Sequence, residues 1–150
     1  MKSCTFFGHR YVEDDIGEIL YNTITDLIEN KNVTNFYVGN QGAFDALVIK
    51  TLKNLKNKYP HVSYTVVLAY LPHKKRDFED KDFSHAVYPE GLEFVPPKFA
   101  IIKRNNWMIE KSDFVMVYVK DLCGGAAKFK EVAEIKGKKV INIAEKIKQI

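Results

Sequence analysis

Five short apolar runs, separated by segments of helical periodicity, constrain the fold of this chain more than any other feature. They occupy residues 4–7, 33–38, 64–70, 114–119 and 140–143 and are rich in β-branched and aromatic side chains. Runs this continuous lack an alternating polar face, so in a sheet they call for cover on both sides and parallel pairing. Between the first two, Ile16, Ile19, Leu20, Ile24, Leu27 and Ile28 recur at helical intervals, with Asp15 placed to cap that helix. Phe44, Leu47, Val48, Thr51, Leu52 and Leu55 mark a second helix, stopped before Pro60. Phe99, Ile102, Trp107 and Met108 mark a third between Pro97 and Ser112. Phe129, Val132 and Ile135 mark a fourth, opened by Gly124-Gly125 and ended by Gly137. Residues 71–97, with Pro72, Pro89, Pro96 and Pro97, keep no sustained period and read as a functional loop or covering flap.

Strand–helix alternation of this kind, with right-handed crossovers, predicts an α/β fold: a three-layer, Rossmann-like, doubly wound and mainly parallel five-stranded sheet ordered 3-2-1-4-5. No linker or repeat divides the chain, so one domain over residues 1–150 is expected. Strands one and four then lie side by side where the winding reverses, and ligands of such sheets bind outside the carboxyl ends of the strands at that point.

Three loops reach that crevice: Gly8-His9-Arg10, the stretch from Gly39 and Asn40 through Gly42 to Asp45, and the stretch from Leu122 through Gly124 and Gly125 to Lys128. Two of them are glycine-containing strand-to-helix turns, which aim backbone N–H groups and a helix N-terminus at an anion, phosphate above all. Neither is GxGxxG or GxxxxGK[ST], which counts against a standard dinucleotide fold and a P-loop NTPase. Asp45 is suited equally to capping its helix and to holding a sugar hydroxyl. His9 is a structural hydrogen-bonding group or a ligand contact.

Composition narrows the partners. Lys and Arg number 23 against 19 Asp and Glu, a formal charge of +4, and 46% of residues are hydrophobic and 28% charged. These proportions exclude disorder and collagen or coiled-coil architecture for the chain as a whole. No stretch approaches the roughly 20 apolar residues a membrane helix needs, and the first apolar run meets Gly8 too soon for a signal-peptide core. A soluble cytoplasmic protein is expected. Lys50, Lys53, Lys56 and Lys58 suit a solvated helix face, while His73-Lys74-Lys75-Arg76 is largely neutralised by Asp77, Glu79, Asp80 and Asp82. Cys4 and Cys123 fall at opposite ends of neighbouring strands, which excludes a disulfide. His61, His73 and His85 have no ligand spacing, so neither metal nor cofactor is expected.

Taken in order, Thr5-Phe6-Phe7-Gly8-His9-Arg10, Gly39-Asn40-Gln41-Gly42-Ala43-Phe44-Asp45, Arg104-Asn105 with Trp107-Met108, and Gly124-Gly125 ahead of Glu131 resemble the SLOG superfamily of Rossmann-like proteins. The YpsA-like bacterial branch is the nearest. The resemblance implies a nucleotide or nucleotide-derived ligand at the switch point, and its members often dimerise. In the related LOG group, which cleaves the base from nucleoside monophosphates, the signature is PGGxGTxxE with an arginine on the preceding helix. Gly124, Gly125, Glu131 and Arg104 match it, whereas Leu122-Cys123 lack the proline, Ala127 replaces the inner glycine and Lys128 the threonine.

Two functions follow as expectations. In a binding module, the Gly124 and Gly125 amides with Arg104 or Arg10 hold phosphate, and Asn40, Asn105 and Asp45 line the rest. In an N-glycosidase or deoxyribosyltransferase, Glu131 stabilises or attacks the oxocarbenium-like sugar and Arg104 clamps phosphate. The competing readings are a Glu131–Lys128 surface pair and a solvated Arg104 beside Lys103. Binding is favoured, because the departures fall on the catalytic signature. Nucleic-acid binding in the manner of DprA relatives would rest on the mild charge alone, so nucleic acid is not the expected partner.

Overall fold

A computed structural model describes residues 1–70 and 86–147. Strand β1 (Lys2–Gly8) is followed by α1 (Gly17–Asn30), β2 (Val33–Val38), α2 (Gly42–Lys58) and β3 (Ser63–Val67). After residues 71–85, the chain continues as β4 (Ala86–Val87), a 3₁₀ turn (Leu92–Phe94), α3 (Pro97–Lys111), β5 (Phe114–Tyr118), α4 (Gly125–Ile135), β6 (Lys139–Asn142) and α5 (Ile143–Ile147). The sheet order is β4-β3-β2-β1-β5-β6, and each of the five neighbouring pairs is parallel. The expected α/β sandwich is therefore present, with six strands in place of five. The added strand is the two-residue β4, which extends the β3 edge from within the stretch read as irregular. The basic cluster at 73–76, its acidic neighbours, and His73 and His85 lie outside the described residues.

Side chains alternate across the sheet as its pleat requires. Cys4 and Phe6 of β1, Phe36 and Val38 of β2, and Phe114, Met116 and Tyr118 of β5 enter one buried cluster with Leu20, Ile24 and Leu27 of α1 and Val48 and Leu52 of α2. Phe7, Val67, Val115 and Val117 enter a smaller cluster with Met108 and Ile109 of α3 and Phe129 and Ala133 of α4. Every residue of β5 is buried, as a strand covered on both faces must be.

Three local readings are corrected. Helix α1 starts at Gly17 with Ile16 as its cap and no side-chain capping bond, so Asp15 does not cap it. The third strand stops at Val67, which pairs with Val87 of β4 and gives its carbonyl to Arg104 Nη1. The last strand ends at Asn142, where a short helix follows. Asn142 Oδ1 accepts the N–H groups of Val119 and Ala144 while its Nδ2 donates to Val119, so one side chain ends β6, caps α5 and ties both to β5. Cys4, buried in β1, and Cys123, exposed past β5, are both free thiols. No helix among the described residues is long and apolar enough to cross a membrane.

Candidate functional site

The reversal of winding puts β1 beside β5, with Gly8 opposite Tyr118. Beyond their carboxyl ends, between α3 and α4, lies a cavity of about 360 Å³. Gly8, His9 and Arg10 line it from the β1 loop, and Gln41 and Asp45 from the start of α2. Ile101, Arg104, Asn105 and Met108 line it from α3, and Gly125, Ala126 and Phe129 from α4. Phe6 and Phe7 form its floor.

The β1 loop is held in place by packing. Gly8 lies against the Phe44 ring, where an added Cβ would stand 2.3 Å from the ring carbons. The Arg10 carbonyl accepts the Ala43 N–H at 2.8 Å, and Gly42, at φ +89°, supplies a backbone conformation that other residues rarely adopt. The His9 N–H donates to the Tyr118 carbonyl at 3.3 Å, and its Nε2 accepts the Lys120 N–H at 2.9 Å. His9 is therefore committed through Nε2 to the β5 loop. This leaves Arg10 exposed at the rim, with its carbonyl held by the Ala43 N–H.

Arg104 is buried to 2% exposure, which removes the reading of a solvated helix position. Its Nε donates to Asn105 Oδ1 at 2.7 Å and its Nη1 to the Val67 carbonyl at 2.8 Å. These bonds, the only ones it makes among the described residues, use two of its five N–H groups. Burial lowers its pKa, and the charge of Asp45 opposes that shift. Asp45, also buried, accepts the Gln41 N–H at 3.0 Å. Burial pushes its pKa up to about 6, against the pull of the Gln41 N–H and of Arg104. Gly39 separates the two charged groups: a Cβ there would stand 2.7 Å from Arg104 Nη1 and 2.9 Å from Asp45 Oδ2. Only a glycine lets the end of β2 pass between them. Asp45 thus reaches back to the start of its own helix and also lines the cavity.

The remaining candidates fall outside the lining. Asn40 is exposed on the turn before Gln41. Gly124 caps α4 at φ +104° and bonds through its carbonyl to the Lys128 N–H. Lys128 and Glu131 are exposed on α4, whose buried positions are Phe129 and Ala133. Residues three apart share a helix face, so these two lie together on the side away from the sheet. The structure therefore groups Gly8, His9, Arg10, Asp45, Arg104, Asn105 and Gly125 around one space and leaves Gly39, Asn40, Gly42, Gly124, Lys128 and Glu131 outside its lining. Gln41 was missed as a lining residue, although its place ahead of Gly42, at the cap of α2, was the available signal. The Tyr118 hydroxyl donation to Asp14, which in turn pairs with Lys120 at 3.2 Å, was not readable at all, since its members are scattered along the chain. No group of three His, Cys, Asp or Glu side chains that could hold a metal stands together among the described residues.

No protein-family model matches the chain, and no curated protein sequence does. Solved structures do match. DNA processing protein A (DprA) from Streptococcus pneumoniae superposes with a TM-score of 0.67 at 17% identity, over 93% of this chain and 49% of that one. The Helicobacter pylori DNA processing protein A, described for its single-stranded DNA binding mode, gives 0.65 at 16% identity, over 93% of this chain and 63% of that one. The chain thus spans about half the length of the first and under two thirds of the second. Its fold is the Rossmann-like fold of DprA. The expectation against nucleic acid as a partner is overturned by the Helicobacter pylori protein, in which this fold occurs in a binder of single-stranded DNA. A net charge summed over the chain was the wrong quantity for that expectation, because a cleft responds to the few cations at its mouth.

Proposed function

We propose that this chain is a SLOG-type module that binds single-stranded nucleic acid, taking the phosphate of one nucleotide into the switch-point cavity. The observation that carries this reading is the convergence of exposed Arg10, buried Arg104 and the N-terminal ends of α2 and α4 on one space of about 360 Å³. Each helix end carries about half a positive charge, although at α2 the Gln41 and Ala43 N–H groups are already bonded to Asp45 and the Arg10 carbonyl. Arg104 adds a cation held by two bonds in a fixed direction, and exposed Arg10 adds a second in the lining. Phe7, Met108 and Phe129 supply an apolar wall for sugar or base. The fold likeness to a protein described as binding single-stranded DNA supports a strand as the source of that nucleotide.

Binding is favoured over glycosidic cleavage by the position of the carboxylates. Glu131 is exposed outside the cavity. The cavity carboxylate, Asp45, already accepts the Gln41 N–H.

Fluorescence anisotropy with a labelled 15-nucleotide deoxythymidine strand tests the reading. The wild type binds with an affinity that falls as salt rises, as phosphate neutralisation demands. Arg10→Ala removes a charge-assisted contact and weakens binding about tenfold or more. Absence of binding by the wild type, or an unchanged affinity in Arg10→Ala, overturns it.

A further inference from the structure

His9 and Arg10 have a second cavity on their other side. It measures about 420 Å³ and is closed by Tyr11, Glu13, Tyr118, Lys120 and Asp121. The two spaces share His9 and Arg10, so a ligand whose phosphate meets Arg10 has a pocket on each flank. Their electrostatics differ. The first is faced by Arg10, Arg104 and two helix N-termini, with Asp45 as its one carboxylate. The second, besides the shared Arg10, is faced by Glu13, Asp121 and Lys120, whose Nζ is already engaged, 3.2 Å from Asp14 and 3.9 Å from Glu13.

The aromatic at its edge is Tyr11, which leaves 80% of its surface in solvent directly beside the exposed Arg10. A tyrosine this open adds little to the core, yet its ring is a flat platform next to a phosphate-facing cation. Nucleobases stack on such rings whatever their identity, and this is how single strands are held beside a basic groove. Carboxylates at the same edge accept hydrogen bonds from exocyclic amino groups, as Asp and Glu do from the N4 amino group of cytosine.

We infer that the second cavity is a base-binding subsite, in which Tyr11 stacks the base of the nucleotide adjoining the one held by Arg10 and the acids receive its amino edge. The inference rests on the proposed nucleic-acid reading and extends it: the ligand is a strand of at least two nucleotides, not a mononucleotide.

The test compares dCMP with the trinucleotide (dC)₃, which carries a neighbour on either side of its central unit, by titration calorimetry. The wild type prefers (dC)₃ by about tenfold, the scale of one stacked base. Tyr11→Ala removes that preference while leaving dCMP affinity unchanged, and Tyr11→Phe, which keeps the ring, retains it. The strand (dT)₃, without an amino group, binds several-fold more weakly than (dC)₃. A mononucleotide bound as tightly as the trinucleotide, or Tyr11→Ala weakening both equally, overturns the second subsite and leaves the phosphate site standing. Equal affinity for (dC)₃ and (dT)₃ overturns the role of the acids. Failure of the wild type to bind either ligand overturns both subsites together.

Discussion

The two faces of the sheet bury their side chains to different ends. Under α1, α2 and α5 the cluster is large and almost wholly apolar, from Leu20 and Ile24 through Phe36 to Leu52. Its buried threonines, Thr23 and Thr51, merely return a bond to their own helices, at the Ile19 and Leu47 carbonyls. Under α3 and α4 the cluster is smaller, and its upper end gives way to Arg104, Asn105 and the cavity. Burial on the first face stabilises at about 25 cal/mol per Å². On the second, part of that apolar contact is replaced by polar groups satisfied one by one, an arrangement that costs more to build and leaves space for a ligand. The difference shows where stability and function separate in a doubly wound fold: at the same sheet, on opposite sides.

The largest effect expected is also the plainest way to break that contrast. Leu52→Ala opens a void in a closed core and is expected to cost about 4 kcal/mol, whereas Met108→Ala, beside space that already exists, costs about 2 kcal/mol. Urea unfolding of both variants measures the gap, and equal losses would mean that the two faces are packed alike. A second effect concerns Asp45. Its folded pKa lies above its unfolded value of 3.8, at about 6, so the native state holds the proton more tightly. Stability from this group is thus full below pH 4 and declines as pH rises through 6. Relative to Asp45→Asn, the wild type is expected to lose on the order of 2–3 kcal/mol between pH 4 and pH 7. Parallel pH profiles for the two proteins would place Asp45 in water rather than beside the cavity. The smallest effect sharpens the contrast at one backbone position. Gly39→Ala pushes a methyl group between Arg104 and Asp45 and is expected to cost about 1–3 kcal/mol. It should also weaken strand binding through the displaced guanidinium, read by thermal unfolding and anisotropy on the same sample. A neutral outcome would show that Arg104 moves aside freely.

Long periodic segments were legible because their signals are local. The spacing of Leu20, Ile24 and Leu27 can only be a helix face, and the unbroken run of β5 can only be a strand covered twice. Short elements were not legible. β4 has two residues and exists through its pairing with Val66 and Val67. α5 depends on an Asn142 side chain anchored to β5. The site divided in the same way. Gly8, Gly39 and Gly42 stood out because a tight passage needs glycine, and each lies against Phe44, the Arg104–Asp45 pair or Arg10. Lys128 and Glu131 stood out through motif spacing alone, and spacing along a helix does not say which face the sheet covers.

The amino-acid order by itself determined the layers, the parallel sheet and the reversal between β1 and β5, since each follows from where apolar residues recur along the chain. Whether Arg104 was a solvated lysine-like neighbour of Lys103 or the brace of a cavity was decided only by tertiary structure. Its partner carbonyl, at Val67, is 37 residues away. The same holds for Arg10 and Tyr11, whose flanking cavities are made by α2, α4 and the β5 loop. Periodicity is a property of neighbours in sequence. Charge in a cleft is a property of neighbours in space, and no sum over the chain carries it.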